Sequence, residues 1–313
     1  MSSLIEQERL ISHACHSKSI DEIVQAITEK INQNKNSYYT PEYQLEVLQQ
    51  LQGFDFGLYL MQNQGINGYW THYMLTHPWF GAKTGKNNRG EDFTELESFI
   101  LNKAPLLLAT QERFAIFLKE NQKMVKNKAT LACIPCGMMG ELLYLDYSEL
   151  NEIELVGLDY DQDALIHAEL LATQKSHSGF LRLAQQDAWA LEEDAAFDLI
   201  SSNGLNIYED DPEKLEELYR RFFCALKPGG KLVTSFLTPP PTLTDQCEWD
   251  MSKINLNDLM LQKLIFVDLI ETKFQNYQCS WKMKSSLASI GYVDIEIIYD
   301  KARMFPTIVA YKA

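Results

Sequence analysis

A chain of 313 residues, 46% of them hydrophobic and 11% aromatic, is long enough for one large core or for a domain with a substantial extension. Its net charge of −15 gives a surface that repels phosphate backbones, which argues against a nucleic-acid substrate. No apolar run reaches the length of a membrane-spanning helix, and the six cysteines hold one close pair, Cys133 and Cys136, too few for a disulfide scaffold.

The N-terminal MSSLIEQERLISHACHS lacks the basic and apolar segments of a signal peptide, so a cytoplasmic location is expected. His13, Cys15 and His16 read as surface residues. Residues 1–128 read as helical. Thr40 is placed to cap a helix that begins at Pro41 and carries Leu45, Leu48 and Leu51 at helical spacing. The segment INGYWTHYMLTHPWF (66–80) gathers Tyr69, Trp70, Tyr73, Trp79 and Phe80. It is either a docked aromatic helix or the lining of an acceptor pocket, with Tyr73 the candidate; aromatic faces attract cations. His72 and His77 miss the i, i+4 spacing of a helical metal pair, and no metal site is expected. The run GAKTGKNNRGED (81–92) reads as a loop, and residues 94–122 as helical with a break near Pro105. Arg113 lies in the last of these stretches.

After Lys128 short apolar runs alternate with helical patterns. The runs are ATLACI (129–134), IELVGLD (153–159), FLRLAQQD (180–187), FDLISSN (197–203) and KLVTSFL (231–237). This alternation predicts a parallel, doubly wound α/β sheet. Two further runs, YVDIEIIYD (292–300) and PTIVAYK (306–312), are joined too closely for a crossover and should pair antiparallel. The expected fold is therefore a seven-stranded, mostly parallel sheet with an antiparallel C-terminal pair. Residues 129–313 form it, with a helical insertion at about 241–290 that holds Trp249, Lys273 and Trp281. Residues 1–128 form an N-terminal helical cap.

The first run enters a turn, IPCGMMGELL, whose Gly137 and Gly140 let backbone approach a ligand at a helix start. The second ends on Asp159, where a carboxylate can take two ribose hydroxyls. The third closes on Asp187. With LKPGGKLV (226–233), these segments resemble the class I S-adenosylmethionine-dependent methyltransferases, a Rossmann-like family, over about the last 185 residues. The resemblance implies S-adenosylmethionine as cofactor, left as S-adenosylhomocysteine. It places Pro135, Cys136, Gly137 and Gly140 in the first cofactor loop. Asp159 with Tyr160 falls at the ribose, Asp187 with Ala188 at the adenine, and Asn203 at the exit of the fourth strand. Arg113 is a candidate for the methionine carboxylate. Asn206 and Tyr208 are candidates for the acceptor pocket.

The family's first strand usually ends on an acid; here that position is Cys133. As the end of an apolar strand it reads as a buried cysteine rather than half of a redox or zinc pair. No side chain stands out as a catalytic base. The reading is a methyltransferase acting on a small or medium-sized organic acceptor. An RNA or protein methyltransferase, or a non-catalytic cofactor-binding protein, is the alternative. The oligomeric state is not legible.

Overall fold

The computed structural model describes residues 19–33, 38–273 and 276–313; His13, Cys15 and His16 lie outside them. The chain forms two units. One takes the residues up to Leu108 together with Ile254–Phe274, the other Ala109–Lys253 with Gln275–Ala313. The division thus falls some way before the change of texture at Lys128. The reason is packing. Leu264, Ile265 and Leu269 of the returning segment fill the core of the helical unit, whereas Phe117 belongs to a sheet core.

In the helical unit, helices at Pro41–Leu51, Asp55–Asn63, Gly68–Thr76 and Glu95–Asn102 enclose Leu48, Leu51, Phe56, Leu60 and Ile100. Thr40 caps the first of them, its Oγ1 accepting from the Tyr43 amide at 3.4 Å. The expected loop at 81–92 contains a one-turn helix, Gly81–Thr84, and is fastened by a Lys86–Asp92 bridge. Asn88 and Arg89 both donate to Asp55 at 2.8 Å.

The aromatic segment lies inside this unit. Phe56 stacks on Trp70 with ring centroids 5.2 Å apart, and Tyr73 meets Trp70 edge-on at 5.3 Å. The Tyr73 hydroxyl donates to Glu97 at 2.8 Å, and Glu97 is fully buried. Tyr73, expected as an acceptor-pocket residue, is half-buried, with its ring against the aromatic cluster and its hydroxyl on a buried carboxylate. Tyr73→Phe should lower stability by about 1–3 kcal/mol, because Glu97 would lose a donor it cannot replace with water. A urea titration with an unchanged midpoint would contradict this role.

The sheet unit holds strands β1 (Thr130–Cys133), β2 (Glu154–Asp159), β3 (Leu181–Gln185), β4 (Phe197–Ser202), β5 (Leu226–Ser235), β6 (Tyr292–Ile298) and β7 (Thr307–Lys312). They lie in the order β3-β2-β1-β4-β5-β7-β6. β1 to β5 are parallel, and β7 runs antiparallel to both β5 and β6. Alternating side chains build a core on each face: Ala132, Val156, Leu158, Ile200 and Leu232 on one, Leu131, Cys133, Leu155, Leu199 and Val233 on the other. Reversal of strand order between β1 and β4 leaves a crevice position at their carboxyl ends, where open α/β sheets bind ligands. The register Ser235↔Thr307 brings the β6–β7 loop to that same edge.

One ion pair is built into this unit. Lys231, in β5, is fully buried and donates to the Glu120 carbonyl at 2.8 Å and to its Oε2 at 2.9 Å. Lys123 adds contacts of 2.7 Å to both Glu120 carboxylate oxygens.

Candidate functional site

The loop after β1 turns back on the sheet. The Ile134–Pro135 peptide is cis, Gly137 has φ 49° and Met139 has φ 59°. Gly137 tolerates the left-handed region because it lacks a Cβ, while at Met139 a side chain is held there. The fully buried Met139 packs against β2. A Cβ built at Gly157 would come within 3.1 Å of its Sδ and 3.2 Å of the Cys136 Sγ. Small residues on β2 and large ones in the loop are thus complementary.

Cys136 is engaged throughout. Its amide donates to the Leu158 carbonyl at 2.9 Å, its carbonyl accepts from the Met139 amide at 2.6 Å, and its thiol lies against β2. Cys136, expected in the first cofactor loop, thus anchors that loop on β2. Burial pushes both the Cys133 and Cys136 thiols up, with Glu141 and Asp159 adding to it, which keeps them protonated rather than reactive. Pro135 is half-buried, and Gly140 starts the short helix Gly140–Leu143.

Asp159 ends β2 and is 9% exposed. Its Oδ2 accepts from the Gly137 amide at 2.8 Å and its Oδ1 from the Asp161 amide at 3.0 Å. The same carboxylate therefore fixes the glycine loop and its own turn. Tyr160 follows with its ring 44% exposed. Asp187, half-buried, caps the turn Ala188–Ala190 by accepting from the Trp189 amide at 3.0 Å, and Ala188 is buried beside it. The next segment toward Asp159 is tied in by Gln186, whose amide donates to the Asp159 carbonyl at 2.9 Å.

At the switch point between β1 and β4 lies a second group. Arg113, on the helix Pro105–Gln122, is buried, lies 3.5 Å from the Phe305 ring centroid and donates to Ser235 Oγ at 3.4 Å. Burial pushes its guanidinium down to about 9, opposed by the charges of Glu141 and Asp300 and by Tyr208. Glu141 is 6% exposed and accepts from Asn203 Nδ2. Burial holds its carboxyl up, against the Asn203 hydrogen bond and the Arg113 charge. Asn121 pins the Glu141 carbonyl at 3.1 Å and Ser201 Oγ at 3.0 Å. Arg113 Nε and Asn203 Oδ1 are buried with no partner among the described residues. Buried polar atoms of this kind are uncommon and point to a missing donor or acceptor.

Asp300 accepts from the Ala302, Met304 and Phe305 amides at 3.1, 3.2 and 2.8 Å, so it shapes the loop that carries Phe305. Tyr208 is half-buried on this side of the sheet, within electrostatic reach of Arg113. Asn206 is different. It is buried, donates to the Ser235 carbonyl at 2.8 Å, and its own carbonyl accepts from Asn276 at 2.9 Å. It stitches the exit of β4 to β5, while its side-chain oxygen is buried with no hydrogen-bond partner among the described residues. In the insertion, Trp249 is held by Thr238, and Trp281 is exposed.

Glu141, Ser235, Asp300 and Phe305 were not singled out by the sequence. The one available signal was Glu141 itself, a lone charge in the apolar run GELLYL. The set at this edge fits an adenosyl-methionine: a carboxylate beside the glycine loop at one end, and buried, incompletely satisfied polar groups at the other. Among the described residues no group of ligating side chains is arranged to hold a metal, and no helix is long and apolar enough to cross a membrane.

A family model described as a methyltransferase domain matches residues 134–234. No curated protein matches the chain. Among solved structures, a possible exported protein from Bordetella parapertussis is 38% identical over 94% of this chain and 95% of its own, with a TM-score of 0.87. A methyltransferase from Aquifex aeolicus, dependent on S-adenosylmethionine, aligns with 63% of this chain and 89% of its own at 11% identity and TM-score 0.43. The phosphoethanolamine N-methyltransferase 2 of Haemonchus contortus, in complex with S-adenosyl-L-methionine, aligns with 64% of this chain and 52% of its own at 16% identity and TM-score 0.45.

Proposed function

We propose that this chain, which belongs to the class I S-adenosylmethionine-dependent methyltransferases, moves a methyl group to a small or medium-sized organic acceptor. The observation that carries the reading is the row of polar groups along one sheet edge. Asp159 follows β2, Asp187 follows β3, and Arg113, Glu141 and Asn203 gather at the switch point. In this reading Asp159 accepts the ribose hydroxyls while holding Gly137 in place. Asp187 and Ala188 border the adenine, beside the ring of Tyr160. Arg113 faces the methionine carboxylate, and Phe305 and Tyr208 contribute to the acceptor side.

When bound, the cofactor supplies a methyl group already activated by a positive sulfur. What the protein must add is alignment of the acceptor nucleophile with that carbon, a proximity effect of up to roughly 7–11 kcal/mol in favourable systems. Among the described residues no side chain at this edge is positioned as a general base. A net charge of −15 supports a small acceptor over a phosphate polymer.

The test is transfer of labelled methyl from S-adenosylmethionine to three separate pools: small phenols, amines and carboxylic acids; total RNA; and unfolded protein. Label in the small-molecule pool alone is expected. Label confined to RNA or protein would overturn the acceptor class while leaving the family unaffected.

A further inference from the structure

The family's first-strand acid is replaced here by Cys133, yet a carboxylate stands beside that thiol. Glu141, eight positions along, places its Oε2 at 3.9 Å from the Cys133 Sγ. Three features show that this carboxylate is built in rather than incidental. It is 6% exposed, Asn203 donates to its Oε1, and Asn121 clamps its backbone carbonyl at 3.1 Å.

Its environment is also ionic. Arg113 carries the opposite charge into the same buried region and interacts electrostatically with Glu141. Removing both groups from water is costly unless their remaining hydrogen-bonding capacity is filled. It is not filled within the protein: Arg113 Nε and Asn203 Oδ1 have no partner among the described residues. One donor set and one acceptor set, both buried and both incomplete, are the complement of a zwitterion. An α-amino acid offers an ammonium with three donors and a carboxylate with two acceptor oxygens.

We infer that Glu141 receives the ammonium of the cofactor's amino-acid end, with Arg113 on its carboxylate, so that Glu141 restores the negative charge that Cys133 removes from β1. This rests on the cofactor reading given above. Asn203 then has two functions. Its amide orients the Glu141 carboxylate, and its free oxygen is available to a second proton of the ammonium.

The experiment compares two nucleosides by calorimetry on the full chain, wild type and Glu141→Gln. S-adenosylhomocysteine carries the amino-acid end; 5′-methylthioadenosine has the same thioether nucleoside without it. Glutamine keeps the size of the side chain and its hydrogen bond with Asn203 but removes the charge. The expected result is a loss of about ten- to hundredfold in affinity for S-adenosylhomocysteine, the scale of a hydrogen bond to a charged group. Affinity for 5′-methylthioadenosine should stay within about twofold. In the Glu141→Gln background, Cys133→Asp should recover part of the lost S-adenosylhomocysteine affinity. An unchanged S-adenosylhomocysteine affinity, or an equal loss for both nucleosides, overturns the assignment of Glu141. A wild-type protein that binds neither nucleoside overturns the cofactor reading itself, and the inference with it.

Discussion

Glu120→Ala should lower the unfolding free energy by about 3–5 kcal/mol at neutral pH, the range for removing one partner of a buried ion pair. Lys231 is the reason. Its ammonium is completely buried in the central part of β5, and its contacts to Glu120 are both the carboxylate and the backbone carbonyl. Alanine leaves the carbonyl but strands the charge. Burial pulls Lys231 below its ordinary value, more than Glu120 restores. Burial also acts to raise Glu120, yet the hydrogen bonds from Lys123 and Lys231 hold it below an ordinary glutamate. Two ammonium groups thus serve one carboxylate at hydrogen-bond distance. A carboxyl held lower in the folded than in the unfolded chain stabilises above its unfolded value, near 4.5. That contribution is lost as pH falls through the folded value. The gap between wild type and variant in urea unfolding should therefore be full at neutral pH and narrow in acid. A gap under about 1 kcal/mol at pH 7 would show that Lys231 is neutral or resolvated, and the pair unimportant.

Asp159→Ala should weaken S-adenosylmethionine binding by about 1.5–3 kcal/mol, or about ten- to over a hundredfold. Beyond the proposed ribose contact, the carboxylate has a structural role. It ties down the Gly137 amide at 2.8 Å and the Asp161 amide at 3.0 Å, so its removal also loosens the glycine loop. Asp159→Asn should lose less, because one amide oxygen can still accept while its amino group faces the backbone donors unfavourably. Calorimetry on the three proteins separates these effects. Wild-type affinity in Asp159→Ala would remove this residue from the site.

The sheet was largely legible because each strand is an apolar run long enough to cross a core and bounded by a helix or a tight turn. β6 and β7 were read as antiparallel from the shortness of their link, and β7 pairs antiparallel with β5 as well. Asp159 and Asp187 stood out for the same local reason, since each closes an apolar run. What sequence could not give depends on contacts between distant segments. Ile254–Phe274 joins the N-terminal helices through Leu264 and Ile265, and no periodicity within that segment says so. Tyr73 was read from its aromatic neighbours as a pocket residue, but its partner Glu97 lies a helix away. Cys136 and Asn206 lie in family-like motifs, but the hydrogen bonds that tie them to Leu158 and Ser235 run to segments those motifs do not include. Glu141 was overlooked because the acid was sought at the end of β1, whereas the fold brings a carboxylate there from the following helix.

The carboxyl edge of this sheet is proposed to hold S-adenosylmethionine. A calorimetric titration of the purified protein, with S-adenosylmethionine in one run and NAD in another, tests it most directly. Stoichiometric binding of S-adenosylmethionine in roughly the micromolar range, about −8 kcal/mol, with no heat from NAD, is the predicted result. Tight binding of NAD with none of S-adenosylmethionine would contradict it.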